Sequence, residues 1–191
     1  MTCPRGGGTL WRPRPWESRE EREIAVSLAA DFMEQNNWAN LQIIEFCEGL
    51  DEALLDATAA GVYGSVRETL VHMIASLDRY LSAITASAPA NAAVVNERLP
   101  WPGFEALKKA ATENGEGLRE AAASMEDGAE VRSQFGGKEW RVATSLPVIQ
   151  SFLHCTEHRS QIATVLSNAG VTAPELDAWQ WGGSTGRLAG L

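Results

Sequence analysis

The stretch "LHCTEHRSQI", residues 153–162, places two of the chain's three histidines, His154 and His158, four residues apart in a segment with helical periodicity. At 100° per residue, Val148, Phe152, Cys155, Ile162 and Leu166 gather on one side of that helix, and the two histidines lie side by side on the flank of the stripe. Residues at i and i+4 share a helical face, so the pair can offer two imidazole nitrogens to one ion, as metalloprotease helices do. Solvated or capping histidines show the same spacing, so the pair alone does not require a metal. Glu157 directly precedes His158 and turns to another face, so there is no HExxH pattern and no zincin-type general base.

The rest of the chain supplies partners for this helix, which is expected to run from about residue 146 to 168, with Pro147 in its first turn and Gly170 closing it. An earlier helical pattern covers about 22 to 50, with Ile24, Leu28, Phe32, Gln35, Ala39, Ile43 and Phe46 recurring every three or four residues. A second starts after "GVYG", with Ser65 as N-cap and Glu68 completing a capping box; its stripe is Val66, Leu70, Ile74, Leu77, Leu81 and Ile84. Prolines in "TASAPANAAVVNERLPWPG" stop it and make a long connection to a third helix over about 104–125. Gly136-Gly137 in "EVRSQFGGKEWRV" allows a small hairpin before the last helix. Four amphipathic helices with little strand predict an all-α fold, an antiparallel four-helix bundle over residues 22–191. The two tryptophans of the tail "VTAPELDAWQWGG" are expected to pack back onto it.

Residues 1–21, with a Gly triplet, three prolines and scattered arginines, read as a disordered leader. They carry a small positive charge, so the body is more acidic than the net −9 of the whole chain, which argues against nucleic acid and anionic membrane surfaces as partners. No apolar run is long enough for a membrane span and no signal peptide is evident, so a cytoplasmic location is expected. Cys3, Cys47 and Cys155 are few and far apart, and read as free thiols.

His72, the third histidine, falls opposite the apolar stripe of its helix, beside Ser65, Thr69, Ser76 and Ala83. It is either a plain surface residue or part of a small-residue side that faces a cleft with room for a ligand. Zinc and similar divalent ions accept neutral imidazole, and three protein ligands with an open fourth position mark a catalytic site. Arg159 lies on the apolar side of its helix and either pairs with a buried carboxylate, Asp78 first among candidates, or reaches out along its stem. Cys155 reads as a small buried apolar residue, and Trp38 as a packing residue that an open bundle mouth would turn into a pocket wall.

The segments "NNWANLQIIE", "GSVRETLVHMIASLDRYL" and "HCTEHRSQIATVLSNAGVTAPELDAW" together resemble the DinB-like superfamily of metal-binding four-helix bundles, which includes the bacillithiol transferase type and the metal-binding domain of mycothiol-dependent maleylpyruvate isomerase. The resemblance implies a metal triad of His72, His154 and His158, which uses every histidine in the chain. "HRSQI" is similar to the family's HRGQI with Ser160 for Gly, and Asp177 and Trp179 resemble its acidic and aromatic positions after the last helix. It further implies a divalent metal, Zn or Ni before Fe or Mn, activating a low-molecular-weight thiol for S-transfer or isomerisation. The excess of Arg over Lys and the abundant Ala hint at a GC-rich genome, which favours mycothiol over bacillithiol. A non-catalytic metal-binding or regulatory bundle and a metal-dependent hydrolase are the alternatives. The expected partners are a small-molecule substrate, a thiol and a second copy in a homodimer.

Overall fold

The computed structural model describes residues 19–135 and 137–188, with side chains of the first helix described from Leu28 onward. Four long helices, α1 (Arg19–Glu48), α3 (Val66–Thr85), α4 (Phe104–Ala123) and α5 (Ser145–Asn168), are joined by a short α2 (Glu52–Leu55), a hairpin of β1 (Glu130–Phe135) and β2 (Lys138–Ala143), and a final α6 (Ala178–Ser184). Helix α1 begins three residues before the expected boundary, and residues 1–18 of the expected leader lie outside the described residues.

Each long helix buries its apolar stripe against two neighbours. Helix α1 packs on α4 and α5, and α3 packs on α5 and α4, so α1 and α3 face each other across the diagonal of an all-α bundle. Ile43, Ile44, Leu70, Met73, Ile74, Leu107 and Leu166 are fully buried in its centre. Each such side chain contributes about 1.5–3 kcal/mol by leaving water. Close packing of α4 relies on Gly115, where an added Cβ would lie 2.1 Å from the side chain of Asn37 on α1.

The ends of the helices follow the expected chemistry. Ser65 and Glu68 form the capping box of α3. At the end of α5, Gly170 has φ +78°. Its N–H donates to Ser167 O at 3.0 Å and the Val171 N–H donates to Leu166 O at 2.9 Å, a Schellman closure. In the hairpin, Phe135 pairs with Lys138 across a two-residue connection, and Arg132 faces Arg141. That like-charge pair is relieved diagonally, by Glu139 on Arg132 at 3.0 Å and Glu130 on Arg141 at 3.3 Å.

Three expectations need correction. Leu28 and Phe32 are 56% and 47% exposed, not core, because they line a cavity with Phe152, Leu176 and Trp181 instead of packing in the centre; Ile24 lies outside the described side chains. Of the two tail tryptophans, Trp181 is buried under the Arg187 guanidinium, which sits 4.4 Å from its ring, whereas Trp179 is 72% exposed. Asp177 starts α6 by accepting from the N–H groups of Trp179 and Gln180, both at 2.9 Å.

The third correction concerns Arg159. It is buried, but Asp78 does not pair with it. Helix α5 turns Arg159 toward α1, where Asn36 and Asn40 receive it. Asp78, on α3, instead accepts from the N–H groups of Ala90 and Asn91 at 3.0 and 2.9 Å, fastening the long connection between α3 and α4. Cys47 and Cys155 are buried free thiols, and burial pushes the Cys47 thiol up to about 12. None of the described helices is long and apolar enough to cross a membrane.

Candidate metal centre

Where α3 meets α5, the three histidines come together. His72 projects from α3, and His154 and His158, one helical turn apart, project from α5 toward it, so that one ligand atom from each lies within 4.8 Å of the others. Ring centroids are 5.0 Å apart for His72 and His154, 4.8 Å for His72 and His158, and 4.3 Å for His154 and His158. The small-residue side of α3 therefore faces a cleft, and His72 is not a plain surface residue.

A separate polar group orients each ring. His72 Nδ1 meets Glu97 Oε1 at 2.9 Å. Arg79 grips the same carboxylate through Nη2 at 2.8 Å and Nη1 at 3.1 Å. His158 Nδ1 meets Gln161 Oε1 at 2.9 Å, and that oxygen also accepts from the Tyr63 N–H at 3.1 Å. His154 Nε2 meets Ser76 Oγ at 3.0 Å, and Ser76 is itself held by Arg79 at 2.7 Å. The Tyr63 ring stacks on His72 at 4.0 Å and 17° and meets His158 edge-on at 5.5 Å.

With Nδ1 of His72 and His158 engaged, their Nε2 atoms carry the remaining ligand capacity, the usual division of labour in histidine metal sites. Burial favours the neutral form of two of the rings, His72 and His154. Burial, then the neighbouring His158 and His72, pushes His154 down to about 4. Burial also lowers His72, with the hydrogen bond to Glu97 opposing it. Partial burial would raise Glu97, but hydrogen bonds from Arg79, its own N–H and His72 outweigh it and bring the carboxyl down to about 2. Neutral imidazoles oriented by outer hydrogen bonds are what a divalent ion accepts, so the donor set fits such an ion.

Among the described residues, no fourth His, Cys, Asp or Glu joins the group. Glu157 is exposed, away from the cluster. Tyr63 and Glu97, which touch His72, line a cavity of about 280 Å³ together with Arg67, Glu68, Val71, Leu99 and Trp101; the histidines themselves are not in its lining.

The profile of the DinB family matches residues 25–183. The chain belongs to the DinB family. Comparison with curated proteins gives no match. Membership in this family of metal-binding proteins and the geometry of the cluster agree that His72, His154 and His158 form a group that could hold a metal ion. Within this DinB chain, sequence reasoning missed the groups that orient the histidines. Gln161, three residues after His158, was readable from helical spacing. Glu97 and Tyr63 come from irregular connections, where no period marks them.

Proposed function

We propose that this DinB-family chain is a divalent-metal-dependent enzyme that uses a low-molecular-weight thiol for S-transfer or thiol-assisted isomerisation. The observation that carries the reading is a set of three histidines with no fourth protein ligand among the described residues, next to a cavity lined by Tyr63 and Glu97, which both touch His72. His72, His154 and His158 would hold the ion, with Zn or Ni the best matches to three imidazoles. The chemistry such an ion supplies is Lewis acidity, which favours the thiolate form of a thiol near neutral pH.

The chain's own residues do the positioning. Glu97 and Gln161 fix the tautomers of His72 and His158, and Arg79 holds Glu97 and Ser76 in place. Tyr63 roofs His72 and forms the boundary with the cavity, where Leu99, Val71 and Trp101 offer apolar surface to an electrophile. Neither buried cysteine is placed to act as a nucleophile, which is consistent with an external thiol.

The test is to purify the protein, measure Zn, Ni, Fe and Mn by elemental analysis, and follow consumption of several electrophiles with mycothiol, bacillithiol or other small thiols. The expected result is near-stoichiometric metal and a thiol-dependent rate that chelation abolishes. Metal without thiol-dependent turnover across the panel would overturn the transferase reading in favour of a binding bundle. Steady hydrolysis of activated esters without thiol would instead indicate a hydrolase.

A further inference from the structure

Arg159 follows His158 by one residue, and the 100° turn between them carries it to the α1 side of α5, away from the histidines. The residue is 6% exposed. Its Nη1 donates to Asn36 Oδ1 at 2.7 Å, to Asn36 O at 3.5 Å and to Asn40 Oδ1, and its Nη2 donates to Thr156 Oγ1 at 3.0 Å. All of these acceptors are neutral. Among the described residues no carboxylate pairs with it, although burying an unpaired guanidinium is costly.

The same guanidinium lines a cavity of about 410 Å³ whose walls include Leu28, Phe32, Phe152, Leu176 and Trp181. The volume is within the range of about 300–1,000 Å³ seen for small-molecule sites, and an apolar wall with a convergent polar group is their usual make-up. The indole Nε1 of Trp181 is buried with no hydrogen-bond partner. Two carboxylates also border the cavity, but both are engaged. Asp31 pairs with Arg187 at 3.5 Å, and Asp177 is spent on capping α6.

We propose that this cavity is a second ligand site, distinct from the histidine cluster, for an amphipathic carboxylate. The carboxylate meets Arg159, which pairs with no carboxylate among the described residues, while the hydrocarbon part lies against Phe32, Phe152 and Leu176. Charge complementarity and the apolar walls together select this class over neutral or cationic amphiphiles. The site does not depend on the metal chemistry.

Isothermal titration of the full chain with octanoate, 1-octanol and octylamine tests this. Octanoate is expected to bind once per chain, roughly tenfold or more tighter than octanol, with no binding of octylamine. Arg159→Gln should reduce octanoate to the affinity of octanol. Because Arg159 also bonds α1, a second variant at the exposed rim, Leu28→Glu, gives an independent reading. It should weaken octanoate roughly fivefold or more while leaving the thermal melt unchanged. Equal binding of octanoate and octanol, no binding at all, or indifference to Leu28→Glu would overturn the proposal. So would octanoate binding that fades as the protein dimerises with rising concentration, which would assign this face to a second copy of the chain.

Discussion

His158 and Arg159 are neighbours in sequence, yet the two flanks of α5 on which they lie are electrostatic opposites. Toward α3, three imidazoles pool lone pairs, and each ring is steadied by a separate oxygen from Glu97, Gln161 or Ser76. Toward α1, one guanidinium pools N–H donors among neutral amide and hydroxyl oxygens. The first set of groups suits a cation and the second suits an anion. A 100° turn separates a group that could hold a metal ion from the cavity proposed for a carboxylate, and disturbing either is expected to leave the other untouched.

The sharpest way to break this comparison is His158→Ala. It removes one of the three proposed ligands, and metal content measured by elemental analysis should fall roughly tenfold or more, while the α1 flank is unaffected. Unchanged metal content would remove the triad as the binding site. Glu97→Gln is the milder version. It keeps a group able to accept from His72 Nδ1 but loses the charge that Arg79 grips, and metal affinity measured by competition with a chelator should fall about tenfold.

On the other flank, Asn40→Ala removes an acceptor from a buried guanidinium. The expected cost is about 2 kcal/mol, or roughly 4–8 °C in the melting temperature of a chain this size, with metal content unchanged. A melt that moved together with metal content would mean that the two flanks form one unit.

How far these flanks were legible in the sequence follows the same division. The histidines were legible because their spacing is periodic and because a chain with only three of them leaves little choice. The bundle was legible for a similar reason: the stripe of α3 and its capping box are local patterns, and both formed as read. The partner of Arg159 was not. Periodicity shows that a residue is buried but not which neighbouring helix it meets, and charge complementarity alone favoured Asp78 over the neutral Asn36 and Asn40. Likewise the exposure of Leu28 and Phe32 depends on how α5 and the tail meet α1 around a cavity, which no single-helix pattern contains.

Proton linkage separates the flanks in the metal-free protein. His72 and His154 are both held below the ordinary imidazole value of 6.5, with His154 at about 4, so the unfolded chain takes up protons first as pH falls. Stability from these groups is therefore complete above about 6.5, declines below it, and levels off near the pH at which His154 charges in the folded state. Melting curves between pH 4 and 7 should show that decline, and His154→Gln should flatten it. A decline of equal steepness in the variant would place the titrating group elsewhere.

Cys155 supplies the smallest expected effect and the strictest control on the comparison. It follows His154 directly, but the helix turns it into the core, where it is 0% exposed and burial raises its thiol pKa. Sequence proximity to a proposed ligand suggests a role in thiol chemistry, whereas its surroundings make it a packing residue whose protonated form is favoured. Cys155→Ala should cost about 1 kcal/mol, comparable to deleting one buried methyl group, and leave both metal content and any thiol-dependent rate unchanged. A lost rate with metal retained would show that the core side of α5 takes part in the chemistry and that its division into independent flanks fails at this residue.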